Sequence, residues 1–170
     1  MTNQFDVNQG VIMSTIHSNE FRKMFRIISF ILFIIYLIIL INVLFLDARY
    51  GRITGLKGYN LEPFRTIKNY LKYSGTNAIM TNIFGNILAF MPLGFFVPIL
   101  FRRTRFFILM ILISGFVSLA VEVLQYHYAV GSFDVDDIIL NTLGGFIGYL
   151  IFRICYYIYY GIKYLKDKKN

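Results

Sequence analysis

The sequence predicts an all-α, polytopic membrane helical bundle: four transmembrane helices, with an amphipathic segment in the outer loop between the first two. Three observations predict it. Hydrophobic residues make up 57% of the chain and charged residues only 15%, against about 25% charged in soluble domains, and the mean hydropathy is +0.61. Over 170 residues that is more apolar surface than one water-soluble core hides, so lipid is the natural solvent for the surplus. Four apolar runs each reach the roughly 20 residues that a helix needs to cross the hydrocarbon. They are continuous rather than alternating, which excludes a transmembrane β-barrel.

Residues 1–26 read as a polar, loosely attached cytoplasmic lead without the charged start, apolar core and cleavage site of a signal peptide. Met13 is an alternative start to Met1. Residues 27–160 form the transmembrane domain. Its first span, 27–46, carries no charge; the second, 83–101, contains Pro92 and Pro98; the third, 106–125, carries Glu122; the fourth, 138–160, carries Arg153. Residues 161–170 are a basic cytoplasmic tail.

Basic residues set the direction. Arg22, Lys23 and Arg26 precede span one, Arg102, Arg103 and Arg105 separate spans two and three, and Lys163, Lys166, Lys168 and Lys169 follow span four. The loop between spans three and four, about 126–133, has none. This pattern predicts a multi-pass membrane protein with both termini cytoplasmic. The outer loop, 47–80, dissents: Arg49, Arg52, Lys57, Arg65, Lys68 and Lys72 against Asp47 and Glu62 leave it at +4. Within it, Pro63 is placed to open a short helix at its first position. Phe64, Ile67, Tyr70 and Leu71 would share one face, with Arg65, Lys68 and Lys72 toward the other, as in a helix lying among headgroups.

The net charge of +8 sits beside apolar runs rather than in a soluble basic module, so it predicts anchoring at anionic headgroups and no nucleic-acid partner. The single cysteine, Cys155, excludes an internal disulfide and a cysteine metal site.

Amides and carboxylates inside spans are costly and normally face protein or water. By helical repeat, Asn82, Gly85, Asn86 and Ala89 share a face of span two, and Ser114, Ser118, Glu122 and Gln125 a face of span three. Asp137, Asn141, Gly144, Gly145 and Gly148 share a face of span four, with Asp136 well off it. Asp134 precedes the helix and is a natural N-cap. Gly144 and Gly148 permit close helix approach. Pro92 withdraws a partner from the Leu88 carbonyl, and a kink there would open a pocket. With the spans alternating in direction, the three polar faces meet at the outer headgroup level. The expectation is one outward-facing polar cavity lined by Asn82, Asn86, Glu122, Gln125, Asp137 and Asn141, with Arg65 over it. Gly85, Pro92, Asp134 and the three span-four glycines hold its walls.

Four blocks carry a family resemblance: NLEPFRTI (60–67), NIFGNILAFMPLGFFVP (82–98), SLAVEVLQ (118–125) and FDVDDIILNTLGGFIGY (133–149). In this order and spacing the chain resembles the VanZ-like family of small bacterial membrane proteins. The resemblance carries over Asn82, Gly85, Asn86, Pro92, Glu122, Gln125, Asp136, Asp137 and Asn141. Family sequences often place an Arg just before the Phe-Asp block, where this chain has Gly131 and Ser132. The resemblance implies an integral membrane protein associated, in the founding member, with low-level resistance to the glycopeptide antibiotic teicoplanin; it implies no mechanism.

Three functions from different classes follow. The first is binding or shielding of an envelope lipid, a cell-wall precursor or a teicoplanin-type lipoglycopeptide at the outer leaflet. The second is an enzyme acting on an envelope lipid, with Glu122 and Asp137 as acid–base pair. The third is a structural or regulatory partner of another membrane protein, docked through the glycine face of span four. No cofactor is expected. A divalent cation on Asp137 and Glu122 is a minor alternative, as is a ligand or base role for His127.

Overall fold

The computed structural model describes residues 4–46 and 58–168. The outer-loop charges Asp47, Arg49, Arg52 and Lys57, the Met1 start and Lys169 of the tail lie outside the described residues. Helix α1 (Gln4–Ile41) closes in a π-helical turn, Asn42–Leu46. A short strand β1 (Tyr59–Asn60) leads to α2 (Arg65–Tyr73) and α3 (Thr76–Ile79). A second π-helical turn, Met80–Phe84, feeds α4 (Gly85–Leu100). A 3-10 turn, Arg102–Arg105, leads into α5 (Phe107–His127), then β2 (Phe133–Asp134) and α6 (Val135–Asp167).

Among the described residues four stretches are helical, long and apolar enough to cross a membrane: Glu20–Phe45, Met80–Leu100, Phe107–His127 and Val135–Ile162. They contain nearly all of the four sequence spans. Their surfaces are inverted relative to a soluble bundle. Ile34 and Ile38 of α1, Leu112 and Phe116 of α5, and Ile154 and Ile158 of α6 point outward, whereas Ser114, Ser118, Glu122, Gln125 and Asn141 are buried. Water would make that arrangement costly; lipid makes it the low-energy one.

The polar lead departs from expectation, because α1 is already helical at Gln4. Once the apolar run has nucleated a helix, each added residue costs little, and no proline stands in the way before Pro63.

Helix α6 is central, with α4 and α5 packed along it and α1 against α4. Phe90, Leu93 and Val97 of α4, Met110 and Val121 of α5, and Tyr149 and Phe152 of α6 form the core, joined by Leu40 and Leu44 at the end of the first span. The Tyr36 hydroxyl donates to the Ala89 carbonyl at 2.8 Å and ties α1 to α4. The α4–α6 contact is backbone against backbone. A Cβ on Gly144 would stand 2.2 Å from the Ile87 carbonyl oxygen, and one on Gly148 1.9 Å from that of Met91. A Cβ on Gly94 would stand 1.8 Å from the carbonyl oxygen of Gly145. The opposite shoulder of α6 receives α5, where a Cβ on Gly145 would meet Ser114 Oγ at 2.0 Å. The glycine face of span four is therefore filled within the chain, which removes it as a docking surface for another protein.

Pro92 does not interrupt the helix. Helix α4 runs through both prolines, and the departure from α geometry lies in the preceding π-helical turn. Helices packed in a membrane tolerate internal prolines because neighbours take over freed backbone groups.

Replacing Gly144 or Gly148 with Leu forces α4 off α6. Overpacking of this kind costs about 1–3 kcal/mol or more, so each variant will melt at lower temperature or fail to elute as a monodisperse peak in detergent. Gly161, with nothing within 4 Å of its Cβ position, is the control. Gly161→Ala will leave the melting temperature unchanged or raise it, since Ala favours a helix interior by roughly 1 kcal/mol.

Candidate functional site: a carboxylate-pinned polar end

The starts of α4 and α6, the end of the first span and helix α2 gather at one end of the bundle, opposite the Arg102–Arg105 turn. Two residues of parallel pairing, Tyr59 with Phe133 and Asn60 with Asp134, bring the NLEPFRTI block onto the FDVDD block. Three carboxylates then lock them together.

Asp134 caps α6: its Oδ1 accepts the Asp136 N–H at 2.8 Å. The same carboxylate accepts Asn60 Nδ2 at 2.9 Å and the Thr66 hydroxyl at 2.6 Å. Asp136 is fully buried and caps a different helix. Its oxygens accept the backbone N–H groups of Phe64 (2.5 Å), Thr66 (2.7 Å) and Ile67 (3.1 Å), the donors that α2 leaves open at its start. Phe64 takes a left-handed backbone conformation, φ 65°, and turns these donors toward one carboxylate. Helix α2 thus begins at Arg65, two residues after the predicted proline start, and its cap comes from α6 rather than from the residues just before it. Glu122 underlies both, its Oε2 accepting the Asp134 N–H at 2.9 Å.

Helix α2 turns Thr66, Ile67 and Tyr70 inward and leaves Phe64, Arg65, Lys68, Leu71 and Lys72 exposed. The inward face is therefore narrower than the sequence pattern, with Phe64 and Leu71 outside it. Burial pushes the Tyr70 phenol above its ordinary value, and the negative charges of Asp137 and Asp134 add to the effect. Arg65 does not reach over the cavity: its guanidinium is exposed, 3.9 Å from Glu62.

A cavity of about 40 Å³ opens beside this lock, lined by Val43, Leu44, Thr81, Asn82, Gly85, Asn86, Ala89 and Asp137. Asn86 Nδ2 donates to Asp137 Oδ1 at 2.6 Å across the α4–α6 interface. The volume takes a small polar group or one or two waters rather than a whole headgroup. The structure divides the six predicted lining residues. Asn82, Asn86 and Asp137 line the cavity, whereas Glu122, Gln125 and Asn141 do not. Gln125 Nε2 donates to the Leu44 carbonyl at 2.8 Å and straps α5 to the first span. Asn141 Nδ2 donates to Ser118 Oγ at 2.9 Å and straps α6 to α5. The oxygen of each side-chain amide, Gln125 Oε1 and Asn141 Oδ1, together with Ser114 Oγ, is buried without a protein partner. Val43, Leu44 and Thr81 were missed. The first two belong to the π-helical end of α1, and Thr81 precedes the periodic part of span two.

The fold and this polar end define a class: a multi-pass membrane protein whose bundle closes at one end in a carboxylate-held cap over a small polar cavity. The family model described as VanZ/LLP1 matches residues 33–156, and the chain belongs to that family. It is 27% identical over 103 residues to Protein VanZ of Enterococcus faecium, covering 58% of this chain and 54% of that protein. The chain thus spans about half the length of this curated relative. No solved structure matches.

Asp136→Ala will release α2 while leaving the spans folded. Charge-assisted hydrogen bonds contribute about 1.5–3 kcal/mol, so tryptic cleavage at Arg65, Lys68 and Lys72 of the purified protein will accelerate roughly tenfold or more. Asp137→Asn, which leaves the α2 cap intact, will not change the cleavage rate.

Proposed function

We propose that the protein binds or shields an envelope molecule at the outer leaflet: an envelope lipid, a lipid-linked cell-wall precursor, or a lipoglycopeptide of the teicoplanin type. The observation that carries this reading is the Asp137–Asn86 pair at the edge of a small cavity, with Asn82 and Thr81 beside it. A carboxylate, two amides and a hydroxyl offer acceptors and donors for a hydroxyl, amide or amine of a ligand whose apolar part stays in lipid. The exposed cations of α2 at the same end suit the phosphate of such a ligand. In this reading both termini are cytoplasmic, in a bacterial plasma membrane, since Arg22, Lys23, Arg26 and Arg102–Arg105 gather at the opposite end.

The enzymatic alternative, acid–base chemistry through Glu122 and Asp137, has less support. Glu122 is 2% exposed, accepts the Asp134 N–H and lies outside the cavity lining, so a substrate in the cavity would not meet it.

Expressed in a glycopeptide-susceptible Gram-positive host, the chain will raise the inhibitory concentration of teicoplanin. Asn86→Ala and Asp137→Asn will each abolish the increase at unchanged membrane abundance. Protection retained by both variants would remove the cavity from the function. Incubation of the purified protein with membrane lipids, followed by mass spectrometry, will yield no new lipid species; one that depends on Asp137 would instead establish the enzyme.

A further inference from the structure

The end of the bundle opposite the cavity carries two arginines that the function above does not use. Arg105 leaves the 3-10 turn before α5 and reaches across to α6. Its Nε donates to the Pro98 carbonyl at 3.2 Å, and its Nη1 lies 3.5 Å from the Tyr156 hydroxyl. Its guanidinium carbon lies 4.9 Å from the centre of the Tyr156 ring and 5.8 Å from that of Phe152. Arg153 sits on the adjacent ridge of α6. Its Nη1 donates to the Tyr149 hydroxyl at 2.9 Å, and its Nη2 to that of Tyr157. The Tyr149 hydroxyl in turn donates to the Arg105 carbonyl at 2.6 Å. The Tyr149 hydroxyl therefore joins the Arg153 guanidinium to the Arg105 backbone, while the Pro98 carbonyl and Tyr156 hold the Arg105 guanidinium.

A guanidinium has five N–H donors; two on each arginine are engaged, both with neutral oxygens. Among the described residues neither guanidinium has a carboxylate partner. Arg153 stands eighteen residues beyond Val135 in α6, about 27 Å along the axis at roughly 1.5 Å per residue. That is close to the roughly 30 Å thickness of the hydrocarbon, so it sits where headgroups begin. The exposed rings of Tyr157, Tyr159 and Tyr160 mark the same level. Two cations on neighbouring rings of α6 there, with unused donors, match the phosphate of a lipid.

We propose that Arg105, held against Tyr156, and Arg153, held by Tyr149 and Tyr157, form a binding site for the phosphate group of an anionic phospholipid in the leaflet at this end. The site is independent of the Asp137 cavity and stands whether or not the binding function proposed there does.

The test is native mass spectrometry of the full chain in mild detergent, titrated with phosphatidylglycerol, with phosphatidylcholine and with inorganic phosphate. Near a membrane surface each arginine contributes roughly fivefold in affinity. Arg153→Gln will therefore weaken phosphatidylglycerol retention about fivefold, and Arg105→Gln/Arg153→Gln about thirtyfold. Arg153→Gln breaks only hydrogen bonds within α6, so it keeps the test open if the double variant does not fold. Phosphatidylcholine will bind more weakly than phosphatidylglycerol, and millimolar inorganic phosphate will not displace the lipid. The proposal is overturned if Arg153→Gln retains phosphatidylglycerol as the parent does. It also fails if Arg22→Gln/Lys23→Gln, at a different basic flank, lowers retention equally, or if free phosphate displaces the lipid and identifies a site for a soluble anion.

Discussion

The backbone contact between α4 and α6 is the constraint on which the rest depends. In lipid, apolar side chains gain little by meeting one another, so helices associate where backbones come close. Gly144 and Gly148 on α6, facing Ile87 and Met91 on α4, make that approach possible and set the two helices parallel in one register. The register brings Asn86 within 2.6 Å of Asp137 and so creates one edge of the cavity. Gly145 receives Ser114 on the other shoulder, and the return helix α5 then carries Glu122 beneath Asp134.

The two ends of the bundle handle charge in opposite ways. At the cavity end, carboxylates are desolvated and repaid in backbone N–H bonds: Glu122 takes one from β2, Asp134 one from α6, and Asp136 three from the start of α2. Acidic groups beside helix N-termini also gain from the helix dipole. This cap holds α2 through hydrogen bonds rather than leaving it to rest on lipid alone. At the other end the charges are cationic and their partners are tyrosine hydroxyls, rings and carbonyls, an arrangement that leaves donors available.

The spans and the inward turn of Asn82, Asn86 and Asp137 were legible because each follows from local repeat and polarity. Asp134 as a cap was legible for the same reason. Asp136 was not. Its distance from the polar face is correct, but its target, the N-terminus of α2, lies 70 residues away in sequence at Thr66, and no local pattern encodes it. The division of the polar set was equally hidden. Asn141 shares a face of α6 with the cavity residue Asp137, and Glu122 and Gln125 share the polar face of α5, yet each spends its side chain on a neighbouring helix or strand. Periodicity gives the direction of a side chain but not what meets it.

What the sequence determined by itself is the solvent and the skeleton. Apolar runs of membrane-crossing length select lipid and the number of crossings, glycines select where helices touch, and buried polar residues announce that something must satisfy them. What only the tertiary structure decided is how those polar groups divide between struts and cavity. That division depends on hydrogen bonds of 2.6–2.9 Å between groups far apart in the chain. They are fixed only when α4, α5 and α6 have packed and the outer segment has paired with β2.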